Sequence, residues 1–177
     1  KTVSARCRIG SHVEDIGCPL TREADFFNFW EESLAQLAST APNFQLRPNK
    51  QQSQSKVSVF EVSMQSFDNI CVRGWLEIPN QDGLFPSVLR VPGYGQNMKP
   101  VGNQEDLMIC TFNRRGHGNS QEDISGKPED YWGRGLDDRN TYFYRGAYLD
   151  CVRAVDFLCT LDKVDQQKIA VWGASQG

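Results

Sequence analysis

Hydrophobic positions in this chain recur with two periods, and the two mark different elements. Residues 57–65 alternate apolar and polar, and so do 71–78, with the turn-forming cluster Ser66-Phe67-Asp68-Asn69 between them. Alternation places one face inward, so the pair predicts a β-hairpin. Asn80-Gln81-Asp82-Gly83 is a second turn. Short apolar runs at 86–92, 107–112 and 169–172 predict strands of a sheet, the last one covered on both faces. A period near 3.6 takes over in two places. Phe26, Trp30, Leu34 and Leu37, with Phe27 beside them, predict a helix entered through Pro19-Leu20-Thr21 and ended by Pro42, its aromatic stripe in the core. Ala147, Cys151, Ala154 and Leu158, widened by Tyr148, Val152 and Val155, predict a helix over 141–161. Residues 49–55 and 121–139 read as loops, the second one long enough to lie over the sheet.

The order from residue 86 onward is strand, strand, helix, strand. Crossovers of that kind build an α/β fold with parallel strands, here preceded by an antiparallel hairpin. The first ten residues alternate as well, with Val3, Ala5, Cys7 and Ile9 opposite Ser4, Arg6 and Arg8. They form either the end of a β domain lying upstream or a strand on the edge of this sheet. Residues 11–177 are then one α/β unit.

The last strand runs into Gly173-Ala174-Ser175-Gln176-Gly177, a G-x-S-x-G pattern. A serine on a sharp strand-to-helix turn needs neighbours without a Cβ, because the backbone is crowded there. Such a turn lifts the Ser175 hydroxyl above the strand ends, and the N–H of the next residue, Gln176, can hold developing negative charge. The other loops at the same end carry Gly93-Tyr94-Gly95 and Arg114-Arg115-Gly116-His117-Gly118. A glycine-rich loop after the first parallel strand is where such a sheet places a second oxyanion donor. The plain alternative at both positions is an ordinary turn. His117 and His12 are the two histidines. His117 precedes the serine, against the usual Ser, Asp or Glu, His order, so its expected role is to structure its loop rather than to act as base. His12 is expected at the surface. An Asp and a His to complete a triad would have to follow Ser175, where only Gln176 and Gly177 stand. The chain therefore reads as the front part of a larger enzyme, its sheet incomplete on the C-terminal side.

Composition narrows the classes further. The chain is 39% hydrophobic and 11% aromatic, which suits a packed core rather than disorder. Its net charge is −3 with no Lys/Arg block, which argues against nucleic acid and anionic membrane as partners. No apolar run nears the roughly 20 residues that cross a bilayer. There is no leader pattern, so a cytoplasmic protein and an exported one with its leader removed both stay open. The six cysteines show no C-x-x-C spacing, which argues against a zinc site. Cys151 and Cys159 fall about two helical turns apart, roughly 12 Å and too far to bond. Cys71 and Cys110 read as small strand residues packed inward. For Cys7 and Cys18, pairing is open.

Several blocks together resemble the acetyl xylan esterases and cephalosporin C deacetylases, carbohydrate esterase family seven. They are DFFNFWEESLAQL, SFDNICVRGWLEIP, the GY of VPGYG, RRGHGNS, TYFYRGAYLDCVRAVDFL and VDQQKIAVWGASQG, in the family's order from about residue 19. The resemblance implies an α/β-hydrolase fold. It implies Ser175 as nucleophile and the backbone N–H groups of Tyr94 and Gln176 as the oxyanion hole, with no metal or cofactor. It implies small acetylated carbohydrates as substrates and a homo-oligomer, a hexamer. His117 departs from the family, which usually carries glutamine there. The competing functions are another α/β-hydrolase, a peptidase or lipase, and a non-catalytic binding domain with a vestigial elbow. Two further expectations follow from the missing triad partners: the 177 residues alone lack useful esterase activity, and they leave a sheet edge exposed.

Overall fold

The computed structural model describes residues 11, 12, 15, 17, 19, 21–102 and 104–177. The strand expected over residues 1–10, and Cys7 and Cys18, lie outside the described residues. The described elements run α1 (Phe26–Ala38), β1 (Gln45–Pro48), β2 (Val57–Gln65), β3 (Cys71–Pro79), β4 (Phe85–Val91), β5 (Met108–Asn113), α2 (Phe143–Cys159) and β6 (Val164–Gly173). The strands form one open six-stranded sheet in the order β1-β2-β3-β5-β4-β6. β1, β2, β3 and β5 pair antiparallel in sequence, and β5, β4 and β6 run parallel. The mixed sheet thus joins an antiparallel part to a parallel half, as the resemblance to an α/β-hydrolase implies.

The β2–β3 hairpin pairs in register from Val57 opposite Pro79 to Gln65 opposite Cys71. Asp68 (φ 61°) and Asn69 (φ 56°) turn the chain in left-handed backbone, which Asp and Asn tolerate better than most residues. Gly74 on β3 has no room for a side chain, since a Cβ would come 2.7 Å from the Thr111 carbonyl oxygen on β5. β1 carries no apolar signal of its own. Its four residues are all exposed, and pairing with β2 defines it.

α2 lies on the sheet, with Ala154, Phe157 and Leu158 in a core cluster with Leu76, Leu89, Met108, Cys110 and Phe112. α1 reaches the fold through α2. Leu37 packs with Leu149 and Phe67. Arg145 of α2 donates to Ser33 Oγ (3.0 Å) and Gln36 Oε1 (3.0 Å), and Arg153 donates to the Leu37 (2.6 Å) and Thr40 (3.0 Å) carbonyls. The Leu37 carbonyl also accepts from the Thr40 N–H (3.0 Å), and the Thr40 carbonyl lies beyond the helix end, so a buried arginine completes the C-terminus of α1. Arg115 and Asp150 form a second buried link. The carboxylate accepts from the Arg115 backbone N–H (3.0 Å), Nε (2.8 Å) and Nη2 (2.8 Å), and Nη2 also donates to the Phe67 carbonyl (2.9 Å). Gly146 faces this pair across α2, and a Cβ there would fall on the Arg115 guanidinium.

Three expectations change. The aromatic stripe of α1 is not core: Phe26, Phe27 and Leu34 are exposed and Trp30 half-buried, because α1 touches the body through Ser33 and Leu37 alone among its buried residues. The helix also begins later than Thr21 implies, at Phe26 after Asp25, whose carboxylate pairs with Arg139 (2.7 Å) instead of capping. β6 is not covered on both faces. Ile169 reaches the core, but Val171 is 64% and Trp172 50% exposed, since β6 borders only β4 and stands at the sheet edge among the described residues. The expected exposed edge is therefore present.

Cys151 and Cys159 share α2, Cys110 is buried in β5, and Cys71 is half-buried at the start of β3. Burial pushes the Cys110 and Cys151 thiols up to about 12, which makes both poor nucleophiles. His12 is exposed. No helix of the described residues is long and apolar enough to cross a membrane.

Candidate active site

Two parallel strands bring the site together. β4 and β6 pair with Val91 opposite Gly173, so both chains leave the sheet side by side at the same end. Beyond Val91 come Pro92, Gly93 and Tyr94; beyond Gly173 come Ala174 and Ser175. The two turns are packed backbone to backbone. A Cβ on Gly93 would come 3.0 Å from the Ala174 carbonyl oxygen, and one on Gly177 would come 2.7 Å from the Val91 carbonyl oxygen. A Cβ on Gly173 would run into the backbone of Gly177. The glycines of the G-x-S-x-G pattern are thus required by a close approach of chain to chain, not by flexibility.

Ser175 sits at the tip of this bend with φ 59°, a left-handed conformation rare for a side-chain-bearing residue outside Asn, Asp and Gly. The Gly177 N–H donates to the Ala174 carbonyl (3.0 Å) and closes the turn. Such strain persists only where the surroundings over-determine it, and it is common where a nucleophile is presented to a substrate. Ser175 and Gln176 are both exposed. Neither the Gln176 nor the Tyr94 backbone N–H donates to another group among the described residues.

The loop bearing Tyr94 is held on several sides. Gly93 N–H donates to Gln96 Oε1 (3.1 Å), and the Tyr94 hydroxyl donates to the Glu129 carbonyl (2.6 Å) in the long loop. Asn113, at the end of β5, accepts from Met98 N–H (2.8 Å) and donates to the Met98 carbonyl (3.1 Å). Glu77, wholly buried in β3, accepts from Val101 N–H (2.8 Å) and Gly102 N–H (2.6 Å). A carboxylate in the middle of a strand is costly to bury unless hydrogen-bonded, and here two amides of the loop satisfy it.

The third loop, after β5, lies beside the elbow. Arg114 Nη2 donates to Gln176 Oε1 (2.7 Å), and so does the Tyr144 hydroxyl of α2 (2.7 Å). His117 is fully buried in this loop. Its Nδ1 lies 3.1 Å from the Arg115 carbonyl oxygen and 3.3 Å from Arg114 Nη1, its ring packs on Tyr131, and it makes no hydrogen bond to Ser175. Burial, then the Arg114 guanidinium, hold its pKa below the ordinary histidine value. The loop-structuring role expected for His117 fits this setting. Gly116 (φ 74°) and Gly118 (φ 50°) flank it in left-handed backbone.

The structure therefore brings the Ser175 turn and the Tyr94 loop against each other at one end of the sheet, with Arg114 joining Gln176 to the buried His117. Sequence reasoning passed over Arg114, Tyr144, Asn113 and Glu77. Glu77 carried a usable signal, a charge inside the apolar run Trp75-Leu76-Glu77-Ile78. Arg114 and Tyr144 carried none, since their significance lies in a contact across 62 and 32 residues.

Known proteins share this sequence pattern and fold. The sequence model of the acetyl xylan esterase (AXE1) family matches residues 18–177. Acetyl esterase Axe7A of Xylanibacter ruminicola is 26% identical over 171 residues, covering 86% of this chain and 38% of that protein. Among solved structures, an acetyl xylan esterase from Paenibacillus sp. R4 superposes with a TM-score of 0.83 at 26% identity, over 92% of this chain and 55% of that one. Acetyl xylan esterase 1 from Thermoanaerobacterium sp. shares the fold, with a TM-score of 0.75 at 22% identity, over 87% of this chain and 51% of that one. The chain thus spans well under two thirds of the length of these relatives. With a six-stranded sheet, a serine elbow and a family match over nearly all of its residues, the chain belongs to the acetyl xylan esterase family.

Proposed function

We propose that this chain carries the nucleophile and oxyanion hole of a serine esterase that removes acetyl groups from short xylo-oligosaccharides and similar small acetyl esters. One observation carries the reading: Ser175 is held in left-handed backbone just beyond β6, whose last residue Gly173 pairs with Val91, the residue from which β4 leads into the Tyr94 turn. In the reaction, Ser175 Oγ attacks the acetyl carbonyl and gives its proton to a histidine supplied from outside these residues. The carbonyl electrons move onto oxygen, where the Tyr94 and Gln176 N–H groups receive them. The intermediate collapses, the sugar oxygen leaves with the proton from the imidazolium, and the acetyl group stays on Ser175 as an ester. Water, deprotonated by the same histidine, then attacks that ester, and Ser175 Oγ leaves with the proton from the imidazolium as acetate is released. No step calls on a metal or a redox group. The family resemblance extends the reading to a homo-oligomeric assembly, a hexamer, with the triad aspartate also outside these residues.

The exposed position of Ser175 and the unpartnered amides beside it support the assignment. A fluorophosphonate probe tests it on the parent protein. The wild type labels on Ser175 and hydrolyses 4-nitrophenyl acetate, and Ser175→Ala loses both. Labelling that survives Ser175→Ala would place the nucleophile elsewhere. Activity on peptides without activity on acetyl esters would replace the substrate class.

A further inference from the structure

Gln176 is exposed, follows a strained serine and lies within the tight turn that Gly177 closes. A residue so placed would ordinarily be free to swing. Its side chain is instead gripped from below. Oε1 accepts two short bonds at once, from Arg114 Nη2 (2.7 Å) and from the Tyr144 hydroxyl (2.7 Å). Both donors are buried, Arg114 to 5% and Tyr144 to 3% exposure, and the guanidinium lies over the Tyr144 ring at 5.1 Å. The two donors thus orient each other as well as Gln176.

Two of the buried arginines, Arg115 and Arg153, pair with Asp150 and Asp156, whereas Arg114 and Arg145 make no ion pair among the described residues; Arg145 instead donates to Ser33, Gln36 and the Asn140 carbonyl. The partners of Arg114 are the Gln176 amide oxygen, the Tyr144 face and His117 Nδ1 at 3.3 Å. Burying an unpaired guanidinium is destabilising, so packing alone gives no reason for it. The space around it is also not filled. A cavity of about 160 Å³ lies beneath the elbow, bounded by Val91, Pro92, Arg114, Tyr144, Gln176 and Gly177. The turn has room to sink on that side, and the two hydrogen bonds to Gln176 Oε1 oppose it.

We infer that Arg114 and Tyr144 are positioning residues that clamp the Gln176 side chain and thereby hold its backbone N–H in place as an oxyanion donor. The inference rests on the proposed esterase reading and deepens it. An oxyanion donor acts only when its N–H stays aimed where charge develops, within about half an ångström. A change in that aim alters the transition state more than the bound ester, so the clamp should govern kcat and leave KM nearly alone.

The test is steady-state hydrolysis of 4-nitrophenyl acetate by the parent protein, with thermal unfolding run on each variant. Arg114→Gln should lower kcat about 10- to 100-fold while KM stays within about twofold. Arg114→Lys should recover part of that loss, since an ammonium N–H can still meet Gln176 Oε1. Tyr144→Phe keeps the ring under Arg114 and removes one of the two bonds, so kcat should fall about three- to tenfold. If Arg114→Gln does not fold, Tyr144→Phe decides. Wild-type kcat in Tyr144→Phe and Arg114→Gln would overturn the clamp, as would a loss carried by KM. Ser175→Ala separates the two layers: an inert Ser175→Ala beside unaffected clamp variants sinks the clamp alone, and an active Ser175→Ala sinks the esterase reading and the clamp with it.

Discussion

Replacing Asp150 by alanine removes the anion from the most enclosed ion pair of the fold. The Asp150 carboxylate is fully buried and accepts three N–H groups, all from Arg115. Burial works against the Arg115 charge, yet the attraction of Asp150 and its hydrogen bonds outweigh it and leave the arginine pKa above its ordinary value. Arg115 therefore stays charged when its partner is gone, with the Phe67 carbonyl (2.9 Å) as its remaining hydrogen-bond acceptor and a weaker attraction from Asp68. Removing one member of a buried pair costs about 3–5 kcal/mol, because the other charge stays dry and unpaired. Urea unfolding followed by circular dichroism should show that loss as a lower midpoint with an unchanged slope. High salt should change it little, since screening reaches buried pairs weakly. The double change Arg115→Met with Asp150→Leu should be less destabilised than Asp150→Ala, because no charge is left in the dry site, although the Arg115 N–H loses its acceptor. The reasoning fails if Asp150→Ala costs under about 1 kcal/mol, or if the double change costs the sum of its two singles.

Gly146→Ala sets helix propensity against space: alanine favours an exposed helix interior by about 1 kcal/mol, but here its Cβ displaces the Arg115 guanidinium, so calorimetry should show a lower Tm. Gly177→Ala should abolish esterase activity of the parent protein on 4-nitrophenyl acetate, because the Cβ meets the Val91 and Pro92 carbonyls and pushes the elbow off β4. His117 carries a pH signature. Its folded pKa lies below the roughly 6.5 of an unfolded chain, so between those values the unfolded state binds the proton and the folded state does not. Stability from this group is full above about pH 6.5 and is lost as pH falls toward the folded pKa. Arg114, Arg115 and Tyr131 are the groups that face it, and Arg114 brings the charge that opposes protonation. His117→Gln should flatten that acid limb of a Tm-against-pH curve, and an unchanged limb would assign it to other groups.

Much of this fold is written locally. The β2–β3 hairpin shows in strict alternation around Ser66-Phe67-Asp68-Asn69, and the structure pairs it from Val57 to Gln65 as the pattern requires. The β4, β5 and β6 segments and helix α2 show in their own periods, because a residue's neighbours along the chain reveal which side it turns inward. Gly173, Ser175 and Gly177 also announce their bend, since only glycine tolerates such contact. Other features depend on what lies across from a segment. β1 exists because β2 offers it an edge. The α1 aromatics look like core and are not, because periodicity states that a helix has an apolar face but not whether anything covers it. The apolar run of β6 misleads in the same way, its far side bordering no strand among the described residues. The meeting of Arg114, Tyr144 and Gln176 belongs to this second class. Their side chains come from a loop, a helix and a turn, and only the parallel register of β4 with β5 and β6 delivers all three to one end of the sheet.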